Sequence, residues 1–299
     1  MSIKLSIVMM AYNQGRFIDE AIRSVVSQHL PFSWELLIGD DDSVDDTAEK
    51  VFQWTHKYPD NIFYFRHGKN IGLHKNYQFL IGKSQGEYVA LLEADDYWID
   101  HDKSRLQVAL MDANPDIAYS FTNADTVDIH GKVIEQKTVD LPRVFDFEFF
   151  VKHFFIAPNN TVVFRKTSEP QVYPEWFFTI RQWDMALQYL RSLNGKIGFL
   201  PINGLAWRRH ERATSVSREF SGPERYRDWL ILNREIGKLV PVHLKKFFKQ
   251  NYIAYSYIAI AYLKEKKYLP FARYTLLMIF SKPFKPLKFY RDFFWKVRN

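Results

Sequence analysis

Residues 3–96 alternate short apolar runs with stretches of helical periodicity, and that alternation leaves few folds open. The runs fall at 3–10, 34–39, 62–66 and 88–92. Between them, apolar residues recur at helical spacing: Phe17, Ala21, Ile22, Val25 and Val26, then Ala48, Val51 and Phe52, then Tyr77, Leu80 and Ile81. A β-α-β-α-β-α-β order predicts an α/β fold with a mostly parallel sheet, right-handed crossovers and flanking helices. The unbroken apolar run at 88–92 reads as a strand buried on both faces. In such a sheet the carboxyl ends of the strands share one edge, and ligands bind in the crevice beyond it.

Two of those ends carry carboxylates. Asp40, Asp41 and Asp42 follow the second run, and Glu93, Asp95 and Asp96 follow the fourth. Carboxylates at the end of a buried strand cannot stay ionised and unpaired without cost, so a cation is expected there. Hard oxygen donors suit Mg²⁺ or Mn²⁺, and either ion suits a diphosphate. The plain alternative is an acidic turn after a core strand.

Beyond residue 96 a helix is predicted over 103–113, ended by Asn114-Pro115, then a strand at 117–121. A hairpin follows at 125–133 with Gly131 in its turn, and another short strand at 161–164. Asp184 lies in the first turn of a helix with Met185, Ala186, Tyr189 and Leu190, Gly195 reads as the residue just past its end, and a strand covers 196–200. Asn13 is a candidate cap for the first helix, and Ser43 or Asp42 for the second. From about residue 221 the pattern is helical, with a helical hairpin at 250–281. Trp98, Trp183 and Trp207 are either core residues or platforms for a sugar.

Composition removes several chemistries. There is no cysteine, so no thiolate metal site, disulfide or cysteine nucleophile. No Gly-x-Gly-x-x-Gly follows the first strand, and Gly82-Lys83-Ser84 closes a helix instead of opening one, so dinucleotide and P-loop readings fail. The N-terminus runs straight into a strand pattern, with no leader expected, and the apolar stretch at 252–263 is too short to span a bilayer. Residues 238–299 hold fourteen Lys/Arg against Glu265 and Asp292, a balance of +12, so the preceding residues carry 7 − 12 = −5. An acidic body argues against nucleic acid as partner. Basic residues interleaved with aromatics, as at 289–296, predict docking on an anionic membrane surface, the plain alternative being a helical cap packed on the preceding body of the chain with a solvated basic face.

These pieces, in this order, resemble family 2 glycosyltransferases of the GT-A fold over residues 3–210. The resemblance is carried by Ala11-Tyr12-Asn13, Asp40-Asp41-Asp42-Ser43-Val44-Asp45-Asp46-Thr47, Asn70-Ile71-Gly72 with Asn76, Leu92-Glu93-Ala94-Asp95-Asp96-Tyr97-Trp98, Asp184, Gly195-Lys196-Ile197-Gly198 and Arg208-Arg209-His210. It implies a Rossmann-like GT-A catalytic domain over residues 1–215, with 216–299 a basic, aromatic-rich helical C-terminal region. It also implies a nucleotide-sugar donor, a UDP-sugar, held by Ala11, Tyr12, Asn13, Asp40, Asp42, Asn76, Glu93 and Ala94. By the same resemblance Asp95 and His210 hold Mg²⁺ or Mn²⁺, Arg209 and His210 lie near the diphosphate, and Asp184 is the catalytic base. Glu93 replaces the usual first Asp of the metal motif, and Asp42 stands where the family usually has Gly, so that loop's backbone is expected to differ. Without the resemblance, Asp184 reads first as a helix N-terminal carboxylate and Arg209 with His210 as a surface charge pair.

The expected function is sugar transfer with inversion to a glycan or lipid-linked acceptor in cell-surface polysaccharide synthesis, in the cytoplasm or peripherally on the inner face of the membrane. The competing function is a catalytically silent nucleotide-sugar or glycan-binding protein on the same scaffold.

Overall fold

The computed structural model describes residues 2–153, 157–209, 223–240 and 252–281. The N-terminal alternation is as expected: β1 (Leu5–Ala11), α1 (Ile18–Val26), β2 (Trp34–Asp40), α2 (Thr47–Lys57), β3 (Ile62–Arg66), α3 (Leu73–Lys83) and β4 (Tyr88–Glu93). Then come β5 (Tyr97–Trp98), α4 (Lys103–Ala113), β6 (Ile117–Val127), β7 (Val133–Lys137), β8 (Val144–Phe145), α5 (Phe147–His153), β9 (Val163–Arg165), α6 (Trp183–Ser192) and β10 (Lys196–Arg208). Three helices follow: α7 (Pro223–Leu239), α8 (Tyr252–Lys264) and α9 (Tyr268–Ser281).

The chain divides into two compact units. The first holds residues 2–172 and 187–209 and contains the sheet, in the order β3-β2-β1-β4-β9-β6-β10-β5. β1 pairs parallel with β2 and β4, β2 with β3, and β6 with β10. The short β5, β7, β8 and β9 run against their neighbours. Every residue of β1 is buried, because helices cover both faces of the strand. Leu5, Ile7 and Met9 share a core with Ile18, Ile22 and Val25 of α1 and with Leu36, Ile38, Ala90 and Leu92. Each such side chain taken from water contributes about 1.5–3 kcal/mol before entropy is counted. Register sets Ala11 beside Asp40, Asp40 beside Arg66 and Met10 beside Glu93, so the acidic strand ends do lie on one edge.

Several local expectations change. β10 does not stop at Leu200 but continues through Pro201 to Arg208, with register shifts between Leu200 and Leu205. Pro201 and Asn203-Gly204 fall at these shifts and form an irregularity that the long strand carries. The hairpin is present, with Gly131 at φ 81° in the β6–β7 turn. Gly195 is not a left-handed cap residue: a Cβ there would stand 2.5 Å from the Asp116 carbonyl oxygen, so close chain approach fixes it. Asn13 caps no helix, and Phe17 occupies the N-cap position of α1. Ser43 and Asp42 do not cap α2 either, whose N-cap is Asp46.

The second unit holds residues 173–186 and the C-terminal helices. Tyr173 stacks on Phe177 at 5.0 Å, and the Arg181 backbone N–H donates to Asp228 Oδ2 at 2.8 Å. The expected helical hairpin is formed by α8 and α9, with Lys266 at φ 58° between them. Tyr226 stacks on Tyr257 at 4.9 Å and Tyr262 on Tyr274 at 5.7 Å. Among the described residues no helix is long and apolar enough to cross a membrane. The aromatic, basic stretch at 289–296 lies outside the described residues.

Candidate functional site

β4 ends in a tight turn. The Ala94 N–H donates to the Met10 carbonyl at 3.2 Å, which sets the turn against the end of β1, and the Asp96 N–H donates to the Glu93 carbonyl at 3.1 Å. The carboxylates of Glu93, Asp95 and Asp96 bring one oxygen each within 4.8 Å of the others. Three like charges so close, one of them buried, favour a divalent cation among them. The donor set is hard oxygen throughout and fits Mg²⁺ or Mn²⁺. Glu93 and Asp95 are half-buried, and Asp96 is buried with both oxygens engaged inside the protein. Burial pushes the Asp96 carboxyl well above the usual carboxylate range, with the charges of Asp95 and Glu93 adding to it and the Arg208 N–H and Asn160 amide opposing it.

The two loops beside this turn hold each other. Asn13 sits at φ 53°, its N–H donates to Ser43 Oγ at 2.9 Å, and its Oδ1 accepts the Val44 N–H at 2.9 Å. Asp42 has φ 66°, so it keeps the left-handed backbone that a glycine would take, and the loop does not need a different path. Asp40 is fully buried: Oδ1 accepts the Ser43 N–H at 2.8 Å and Oδ2 accepts the Tyr64 hydroxyl at 2.5 Å. Asp41 accepts the N–H groups of Ile71 and Gly72 at 2.6 and 2.9 Å, which ties the Asn70-Ile71-Gly72 turn to the end of β2. Asn76 is buried, donates to the Gly39 carbonyl at 2.8 Å and meets His67 Nε2 at 3.1 Å. Of the residues assigned to the nucleotide, Asp40, Asn13 and Asn76 thus shape the loops, Ala11 and Ala94 are buried, and Tyr12 is exposed. Arg66, which carries no sequence signal of a role here, reaches this edge from β3: its Nη2 donates to the Ser43 carbonyl at 2.9 Å and lies 3.7 Å from Asp42.

The Arg208-Arg209-His210 segment divides its work. Arg208 is buried, donates from its backbone to Asp96 Oδ1 at 2.8 Å and from Nε to the Asp95 carbonyl at 3.0 Å, and pairs with Glu20. Its guanidinium lies over Phe17 at 4.8 Å and Tyr97 at 5.2 Å. Arg209 is exposed, 3.8 Å from Glu135. His210 lies outside the described residues. Around the acidic turn, sequence reasoning missed Asn160 altogether and named Arg208 only as part of Arg208-Arg209-His210, without a role at the turn. Nothing local to them signals the contact, since Asn160 is 64 residues and Arg208 112 residues from Asp96.

Asp184 belongs to the second unit and stands in the first turn of α6, half-buried. Desolvation pushes its carboxyl above the usual range, against the pull of the backbone N–H groups of Met185 and of Asp184 itself. A carboxylate made more basic by burial is suited to accept a proton. Trp98 and Trp183 are buried, and Trp207 is half-buried and packs against the core.

Comparison with known proteins agrees with this geometry. The model of the family described as glycosyl transferase family 2 matches residues 6–167. An uncharacterised protein of Mycobacterium tuberculosis (strain ATCC 25618 / H37Rv), Rv1520, is 30% identical over 207 residues, 69% of this chain and 59% of that protein. The match thus spans about three fifths of that relative's length. Among solved structures, S. aureus TarS 1-349 in complex with UDP-GlcNAc gives a TM-score of 0.63 at 17% identity, covering 90% of this chain and 89% of that one. The mannosyltransferase PcManGT from Pyrobaculum calidifontis in complex with GDP-Man and Mn²⁺ gives 0.60 at 15%, covering 99% and 85%. At these identities the two structures speak for the fold, and the fold is GT-A. With the family's signature running over more than half of its length, onto a sheet whose carboxyl edge carries the acidic turn, the chain belongs to glycosyl transferase family 2.

Proposed function

We propose that this chain is an inverting, metal-dependent glycosyltransferase that moves a sugar from a UDP-sugar to a glycan or lipid-linked acceptor of a cell-surface polysaccharide. The observation that carries the reading is the cluster of Glu93, Asp95 and Asp96, within 4.8 Å, on a turn bonded to the end of β1 in a family 2 chain. Glu93 and Asp95 would hold Mg²⁺ or Mn²⁺, with His210 as a further ligand. The ion supplies Lewis-acid neutralisation of the diphosphate leaving group. Tyr12, exposed at the end of β1, packs on the nucleoside, and Arg209 with His210 screens the diphosphate. Asp184 takes the proton of the acceptor hydroxyl as that oxygen bonds the anomeric carbon and the carbon–diphosphate bond breaks. The UDP-GlcNAc held by TarS and the Mn²⁺ held by PcManGT support the donor class and the ion.

The place of work is the inner surface of an anionic membrane. Leu269 and Phe280 of α9 are 84% and 75% exposed, within residues 238–299, which carry a balance of +12 from fourteen Lys/Arg and two acidic residues. Apolar side chains among cations fit an acidic lipid surface better than water or a neutral one. Vesicle flotation with phosphatidylglycerol and with phosphatidylcholine tests this. Flotation only with the anionic vesicles, weakened by Leu269→Glu with Phe280→Glu, is expected. Equal flotation with both lipids, or none, contradicts it.

The reaction itself is tested by nucleotide release from UDP-, GDP- and dTDP-sugars with Mn²⁺ or Mg²⁺, in the presence of membrane lipid extract as acceptor source. Release from one donor class is expected. Metal-dependent binding of a nucleotide sugar without release under any acceptor would instead support a silent binding protein.

A further inference from the structure

We propose that Asn160 is a positioning residue for the acidic turn, setting Glu93 and Asp96 at the separation in which the turn holds a divalent cation. This rests on the metal-dependent reading above and adds to it a residue outside every stretch that carries the family resemblance. Asn160 lies on a single 3-10 turn, Asn159–Thr161, between α5 and β9, and is 4% exposed. Its Oδ1 accepts the Glu93 backbone N–H at 3.2 Å, and its Nδ2 donates to Asp96 Oδ2 at 2.5 Å. Its own carbonyl accepts the Trp98 indole N–H at 2.9 Å. One residue therefore touches the first and last members of the cluster and the strand that follows them.

The residue type matters. Only an amide offers an acceptor and a donor side by side without a charge. An Asp in its place keeps the bond to the Glu93 N–H but sets a fourth carboxylate against Asp96. Arg208 closes the opposite side, with its N–H on Asp96 Oδ1 and its Nε on the Asp95 carbonyl. Asp96 thus directs one oxygen to each partner and serves to orient the turn, and Glu93 and Asp95 are the carboxylates proposed to meet the ion. Trp98 is backed in turn by the buried Lys103, whose Nζ lies 4.1 Å from the ring centroid, so the whole stack is packed. Partners of this kind fix the geometry of ligating carboxylates, and their loss weakens metal binding by about 10–100-fold.

The test measures Mn²⁺ binding to the full chain with UDP present, by the electron paramagnetic resonance of free Mn²⁺, alongside thermal unfolding. Native protein is compared with Asn160→Ala, Asn160→Leu and Ser6→Ala. The Ser6 hydroxyl donates to Glu35 at 2.6 Å near the other end of β1, so its loss costs stability without touching the turn. The Asn160 variants are expected to bind Mn²⁺ at least about tenfold more weakly, and Ser6→Ala like the native chain at a similar loss of melting temperature. If Asn160→Ala does not fold, Asn160→Leu, close to the native size and uncharged, carries the comparison. Unchanged Mn²⁺ affinity in the Asn160 variants, or equal weakening in Ser6→Ala, overturns the positioning role alone. Failure of the native chain to take up Mn²⁺ with UDP overturns the metal-dependent reading, and this role with it.

Discussion

Asp42 holds φ at 66°, a backbone state that costs most side chains about 1–2 kcal/mol and glycine nothing. Asp tolerates it, and the 3.7 Å approach of the half-exposed Arg66 adds little. Asp42→Gly is therefore expected to leave stability unchanged or raise it by about 0.5–1 kcal/mol, whereas Asp42→Val lowers it by about 1–2 kcal/mol, both read from urea unfolding. Lys103 gives a second test at this scale. Its amine is fully buried with no hydrogen-bond acceptor, and desolvation brings its pKa down from 10.5 to about 7, with Asp100 opposing. Since the unfolded chain binds that proton more tightly, stability from this group is lowest below pH 7 and rises as pH climbs from about 7 towards 10.5. Lys103→Met should thus raise the melting temperature most at pH 6–7, with the gain shrinking by pH 10.

Among the elements, α3, α6 and the segment before residue 170 meet in a buried polar knot. Arg191 Nε donates to Glu169 Oε2 at 2.6 Å, Arg191 Nη2 to the Tyr77 hydroxyl at 2.6 Å, and Tyr77 in turn to Glu169 Oε1 at 2.7 Å. The pair is 0% and 3% exposed, and the guanidinium lies 3.7 Å from the Phe164 ring centroid. Removing one partner of a buried ion pair strands the other charge, so Glu169→Leu should cost about 3–5 kcal/mol in chemical denaturation. The double variant Glu169→Leu/Arg191→Leu should recover part of that loss. Glu169 and Arg191 look like ordinary surface positions in the sequence, and Tyr77 shows there only as part of the apolar stripe of α3. By contrast β1 to β4 were legible, because they are largely apolar, with Ser6 and Glu35 the polar breaks in β1 and β2 and the edge strand β3 half-exposed, and because their helices carry period. What hid was the extent and the pairing of the middle strands, whose places at 117–121, 161–164 and 196–200 were expected. β9 is only three residues long and wedges antiparallel between β4 and β6, and β10 runs through Pro201, which a local reading takes as a stop. Pairings set by distant chain have no local pattern, and the same reason hid Asn160 and Arg208 while the acidic turn they hold was visible.

For the molecule as a whole, the family and the fold fix where chemistry can occur, and the carboxylates set its pH dependence. Because desolvation raises the Asp184 pKa above 3.8, its charged form burdens the folded state, and that burden appears as pH rises through the raised pKa. Asp184→Asn should therefore raise the melting temperature at pH 7 while abolishing transfer, whereas a carboxylate kept only to cap α6 would make the same change destabilising. With Asp184 as the proposed base, the acid limb of the native rate profile should lie above the ordinary carboxylate range. The most direct measurement is release of UDP from its sugar donor with Mn²⁺ and acceptor, by native chain, Asp95→Ala and Asp184→Asn side by side. Release by the native chain, with a loss of at least about a hundredfold in each variant that still folds, is the predicted result. Release that survives both substitutions would contradict the assignment of the site.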